Sequence, residues 1–233
     1  VLAGTETYRI YIDLADGYQL QGVYGDDNHM LKINTTTTFW NNPNFDSYKG
    51  TTAANQMKVS TNAIDSYITL GGAAGGNNIG VLKSEDNGAA NIITTGRAGA
   101  GNVGILVNNP ASIGISLTTQ DGMIAKSSTP ALTIAGIDAL LQRVFLPSNT
   151  SSPDTAGFQT NNGAWATTDL DTGATASNKV LIAQLTTDGA LTFMLNLQIK
   201  NIATSVVEKW VPNNPQSGEF ALSYLMATYG APS

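Results

Sequence analysis

The chain of 233 residues contains no cysteine, 12% charged side chains and a formal net charge of −6. Without thiols there are no disulfides, thiolate nucleophiles or thiolate metal sites, and the scattered Lys and Arg leave no electrostatic footprint for nucleic acid or an anionic membrane. This length buries a large core without staples, and a surface made soluble by Thr, Ser, Asn, Gln and Gly is common in extracellular β-proteins, so a single β domain over 1–233 is expected.

The opening at Val1, with no charged and apolar leader, reads as a mature secreted form. No apolar run reaches the roughly 18 residues needed to span a bilayer, so no membrane insertion is expected. Tyr8, Ile10, Ile12 and Leu14 alternate with Arg9, Tyr11 and Asp13, which predicts a half-buried strand ending at Asp16-Gly17. Strands over 18–24 and 30–39 follow, divided by the turn Gly25-Asp26-Asp27-Asn28, and the three are expected to form an antiparallel meander. Residues 57–70 resume the two-residue period and stop at Gly71-Gly72. The region 72–158 then reads as a Gly-rich β insertion: small apolar groups, among them Ile92-Ile93, 103–107 and 113–117, recur between turns, as a small second sheet or a solenoid would need. Ile137, Leu140, Leu141 and Val144 share one face of a two-turn helix over 137–145, the only helical candidate.

Residues 178–202 form the organising stretch, with two apolar runs flanking Asp188-Gly189, the strongest short hairpin signal. A three-residue loop closed by Gly189 in a left-handed conformation would pair Leu185 with Leu191, Ala183 with Phe193 and Leu181 with Leu195, and send Gln184 and Thr192 to the other face. The run 219–229 reads as a strand apolar on both faces, with Phe220, Leu222, Tyr224 and Met226 on one and Leu225 on the other. At a sheet edge it would template another chain, and inside its own sandwich it would be core.

The chemistry is sparse. His29, the only histidine, sits in a polar turn and is expected to be solvated, and the four glutamates, Glu6, Glu85, Glu208 and Glu219, lie in no aromatic-rich setting, so no catalytic residue is assigned. Asp169 and Asp171, before Gly173, and the pair Asp26 and Asp27 offer the hard oxygen ligands that calcium takes, although Val180 stands where an EF-hand needs Glu and the plain turn reading leads. Phe39-Trp40 and Trp165 are the candidate sugar platforms, with burial in the core as the leading alternative. Asn34 and Asn149 head glycosylation sequons.

Thr7 to Tyr11, Val23 to Asp26, Ile33 to Phe39, Asp65 to Gly71 and Val180 to Gly189 together resemble a recurring secreted β-domain of large surface proteins from marine bacteria and some algae. The resemblance covers about the first seventy and last eighty residues, while 72–158 departs from it by its length and glycine content. It implies an extracellular adhesive or structural module and supplies no catalytic residue. The expectation is an all-β antiparallel sandwich, jelly-roll-like, with at most one short helix. Functionally the chain is read as a non-enzymatic, self-assembling subunit of a filament, tube or surface layer, with Phe220, Leu222, Tyr224 and Leu225 at the contacts. Polysaccharide binding or adhesion is the alternative, and a secreted hydrolase ranks third.

Overall fold

The computed structural model describes residues 3–43, 48–49, 64–70, 81–82, 92–95, 132–146, 154–167 and 178–232. The apolar groups at 103–107 and 113–117, the carboxylates of Asp169 and Asp171 and the Asn149 sequon lie outside them. In chain order the strands are β1 (Glu6–Ile12), β2 (Tyr18–Gly25), β3 (Leu31–Thr35), β4 (Tyr67–Ile68), β5 (Val81–Leu82), β6 (Ile92–Thr95) and β7 (Leu132–Ala135). Helix α1 (Asp138–Phe145) comes next, then β8 (Gly157–Thr160), β9 (Gly163–Thr167), β10 (Asn178–Thr187), β11 (Leu191–Met194), β12 (Leu197–Asn201), β13 (Val207–Val211), β14 (Glu219–Ala221) and β15 (Met226–Tyr229).

These strands form three sheets: β4-β10-β1-β6 with β5 also on β10, β15-β11-β3-β8, and β14-β13-β12-β2-β9-β7. Pairing is antiparallel apart from β13 with β14, no sheet closes into a barrel, and the fold is all-β and sandwich-like. All three sheets and α1 feed one buried cluster, from Tyr8 and Ile10 through Leu20, Ile33 and Trp165 to Phe193 and Leu197. The helix falls where its apolar spacing predicts, with Ile137 as N-cap and Leu141, Val144 and Phe145 turned inward. Among the described residues of the insertion, three short strands join the main sheets, β5 on β10, β6 on β1 and β7 on β9.

Two expectations about pairing are corrected. β1, β2 and β3 are not a meander, because each belongs to a different sheet. Nor is 178–202 a hairpin: β10 bonds to β1, β4 and β5, whereas β11 bonds to β3 and β15. Residues 188–190 therefore form an arch that carries the chain from one sheet to another. The inward sorting still holds for Leu185, Leu191, Phe193 and Leu195, which are all buried in the common core. Leu181 is buried too, but a bulge between Ala183 and Leu181 puts it opposite Tyr11, outside that cluster. Gly189 is not in a left-handed conformation; a Cβ there would lie 2.5 Å from the hydroxyls of Thr35 and Thr37, so close packing is what requires the glycine.

The face of β1 and β10 turned away from the core is buried as well. Arg9 Nε donates to Gln184 Oε1, Thr7 and Thr186 share a hydroxyl bond of 2.8 Å, and residues 64–66 cap the layer through Gln184 Nε2 to the Asp65 carbonyl (2.6 Å) and Thr186 N–H to Ser66 Oγ (2.9 Å). Gln184, expected on the face away from Leu185, is there and is satisfied beneath a second layer. The chain passes from β11 to β12, in another sheet, through Asn196, which is 0% exposed. Its Nδ2 donates to the carbonyls of Tyr24 (2.8 Å) and Met30 (3.1 Å), tying this crossing to the corner between β2 and β3.

Candidate functional site

The corner between β2 and β3 is closed by mutual backbone bonds between Asp26 and His29, each 3.0 Å. His29 is buried at 4% exposure, which corrects the expectation of a solvated ring. Its Nδ1 lies 3.2 Å from Asp26 Oδ1, and its Nε2 lies 3.2 Å from Glu219 Oε2 and 3.3 Å from the Asn214 carbonyl. Lys209 Nζ spans the same two carboxylates, at 3.5 Å from Asp26 and 3.9 Å from Glu219. The loop after β13 makes this possible: Asn214 (φ 48°) and Gly218 (φ 85°) take left-handed turns that return the chain parallel to β13 and deliver Glu219. Burial acts to raise the Asp26 carboxyl, but the Asn28 N–H, the His29 bond and the charges of Lys209 and His29 outweigh it and hold the carboxyl below its ordinary 3.8. Tyr24 is pushed up by burial and by the nearby carboxylates of Glu219 and Asp26.

Donor atoms of Asp26, His29 and Glu219 lie within 4.8 Å of one another, close enough for a shared cation. Their orientation describes a clamp instead, since the two carboxylates approach opposite nitrogens of one imidazole while coordination needs them to converge beside a single nitrogen. Asp27, the other half of the expected calcium pair, is exposed at the same corner.

A groove of about 430 Å³ opens on the opposite face of β13 from Lys209, between the residues that end β1 and the β12–β13 hairpin. Cross-strand pairing of Leu197 with Trp210 and of Ile199 with Glu208 sets one wall, and the C-terminal segment closes it with Leu222, Tyr224 and Leu225. Trp210 stacks on Phe220 at 4.8 Å between ring centroids, and its Nε1 donates to Glu208 Oε2 at 3.0 Å. This corrects the expectation that Glu208 lies in no aromatic-rich setting, since it bonds the Trp210 indole and shares the groove with Tyr18 and Tyr224; Trp210 itself went unremarked in the sequence, although the alternation through Glu208 and Trp210 marks the two as sharing a face.

The expected sugar platforms fall elsewhere. Trp165 is fully buried, its Nε1 donating to the Thr69 carbonyl at 3.1 Å, and Phe39 is core at 3% exposure. The run 219–229 is not one two-faced strand: β14 edges the six-stranded sheet, a 3-10 turn covers Ser223–Leu225, and β15 edges the four-stranded sheet. Of the four contact residues expected there, Phe220 and Tyr224 are exposed at 46% and 65%, Leu222 packs half-buried against the core, and Leu225 is core at 2%.

Fold and groove together define the class, an all-β, three-sheet, sandwich-like module with an open, largely apolar cleft beside the β12–β13 hairpin. The chain matches no protein-family model, no curated protein and no solved structure. Among the described residues, no helix is long and apolar enough to cross a membrane.

Proposed function

We propose that this chain is a non-enzymatic extracellular structural module that assembles with copies of itself through its C-terminal segment. One observation carries the reading: the segment supplies the outermost strand of two different sheets among the described residues, and it exposes Phe220, Tyr224 and Met226 at 46%, 65% and 42%. Edge strands with apolar side chains recruit further strands, and exposed aromatics add the desolvation energy. The double variant Phe220→Ser, Met226→Ser leaves Leu225 in the core, so it separates assembly from folding. The reading requires wild-type particles in sedimentation and negative-stain microscopy, and a folded monomer from the variant. A wild-type chain that stays monomeric up to millimolar concentration sinks it.

Polysaccharide adhesion is the second reading, favoured by the half-exposed Phe220 ring backed by Trp210, a geometry on which a sugar face can stack. Glycan binding lost in Phe220→Ser by a monomeric wild type would select it. Calcium belongs to either reading through Asp169 and Asp171, or Asp26 and Asp27. It should then raise the melting temperature by mass action, and a melting temperature unmoved by millimolar calcium or chelator removes it.

A further inference from the structure

The groove beside the β12–β13 hairpin is an unfilled end of the interior. Its floor is built by Leu14, Leu197 and Leu225, core side chains at 3%, 1% and 2% exposure, so an occupant that buries hydrocarbon there gains apolar contact already half prepared. Its volume of about 430 Å³ falls in the range that accepts a small organic molecule. The walls carry the rings of Tyr18, Trp210 and Tyr224, and the charged groups that line it are two carboxylates, Asp13 and Glu208, with no Lys, Arg or His among the described lining residues. Glu208 Oε2 is held by the Trp210 indole, while among the described residues the other carboxylate oxygen has no hydrogen-bond or cationic partner. Each of these features selects on charge. An anion meets two like charges, a neutral hydrocarbon desolvates Glu208 without replacing its water, and a sugar finds leucine where its hydroxyls need partners. A cation gains from the carboxylate and from the negative faces of the rings alike.

We propose that this groove binds an organic cation with an apolar body, an alkyl- or aryl-ammonium, whose hydrocarbon lies on the leucine floor and whose ammonium sits between Glu208 and the aromatic walls. The proposal goes beyond the assembly reading and does not rest on it. Benzyltrimethylammonium is the probe, titrated calorimetrically and by saturation-transfer NMR into the full chain, with benzyl alcohol and cellobiose as neutral comparisons. Saturable one-to-one binding is expected, weakened by salt, and weaker by roughly ten-fold or more in Glu208→Gln and for benzyl alcohol. Asp13→Asn should weaken it as well, and Glu208→Gln should keep the wild-type melting curve. No saturable binding of the probe, equal binding by the neutral aromatic, an affinity unchanged in Glu208→Gln, or a preference for cellobiose would each overturn the proposal. Oligomeric state is read separately by sedimentation, so a failed assembly reading leaves this outcome interpretable.

Discussion

Single side chains set the corners of this molecule. Gly189 is hemmed by the hydroxyls of Thr35, Thr36 and Thr37, and its own N–H donates to Thr187 Oγ1 at 3.0 Å. Even one methyl group there forces the threonine cluster apart, so Gly189→Ala is expected to cost about 1–3 kcal/mol in urea unfolding, as over-packing does. A neutral Gly189→Ala would show that the arch has room to shift. Asn196 does by hydrogen bonding what Gly189 does by smallness, pinning the crossing from β11 to β12 to the carbonyls of Tyr24 and Met30. Asn196→Leu keeps the branched shape of the side chain but abandons two buried acceptors, and a loss of about 1–3 kcal/mol is predicted for the same measurement. Wild-type stability in that variant would mean the carbonyls find other donors.

At the scale of elements, the C-terminal segment joins two sheets while leaving aromatic side chains outside. Leu222 N–H donates to the Val211 carbonyl at 2.8 Å, Leu195 N–H donates to the Leu225 carbonyl at 2.8 Å, and Leu225 itself fills the core. Truncation of residues 220–233 is therefore expected to abolish cooperative thermal unfolding, because the cut removes core and both backbone ties. Tyr224→Ser, at an exposed position, should stay within about 0.5 kcal/mol of wild type. A folded truncation product would place the segment outside the folding unit. The true hairpin of this region is β12–β13, whose turn places Ser205 at φ 59° and contains no glycine. Thr204 and Asn201 support it by side-chain bonds to Val206 N–H (3.4 Å) and Thr204 N–H (3.1 Å), a local chemistry that stands in for the Asp-Gly signature.

Across the whole molecule, the clamp of Asp26, His29, Lys209 and Glu219 fastens the β2–β3 corner to the β13–β14 edge. Because the Asp26 carboxyl is held below 3.8 in the folded state, its contribution to stability is complete above the unfolded value and is lost as pH falls through the lower folded value. The wild-type melting temperature should accordingly fall more steeply than that of Asp26→Asn between about pH 5 and 2. Parallel curves would remove Asp26 from the acid response. Neutral pH is where the same variant should be the less stable of the two, since it weakens the pairing with Lys209 and His29.

The period-two alternation of Tyr8, Ile10 and Ile12, of Leu31 and Ile33, and of Leu191 and Phe193 determined which side chains go inward, and the spacing of Leu141 and Val144 determined the helix, because burial of a face is written locally. Partner choice was decided elsewhere. A two-residue turn signal such as Asp188-Gly189 reverses the chain but does not say whether the two arms bond by backbone or face each other across a core, and the threonine hydroxyls around Gly189, from a segment some 150 residues earlier, made it an arch. The same holds for the candidate sites. His29 reads as a surface residue until Glu219, distant in sequence, arrives on its Nε2, and Trp210 with Glu208 becomes the wall of a groove only when Leu14 and the C-terminal turn close it opposite them. Side-chain period is a property of neighbours in the chain, whereas clusters of charge and cavities are made by residues that only the tertiary fold brings together.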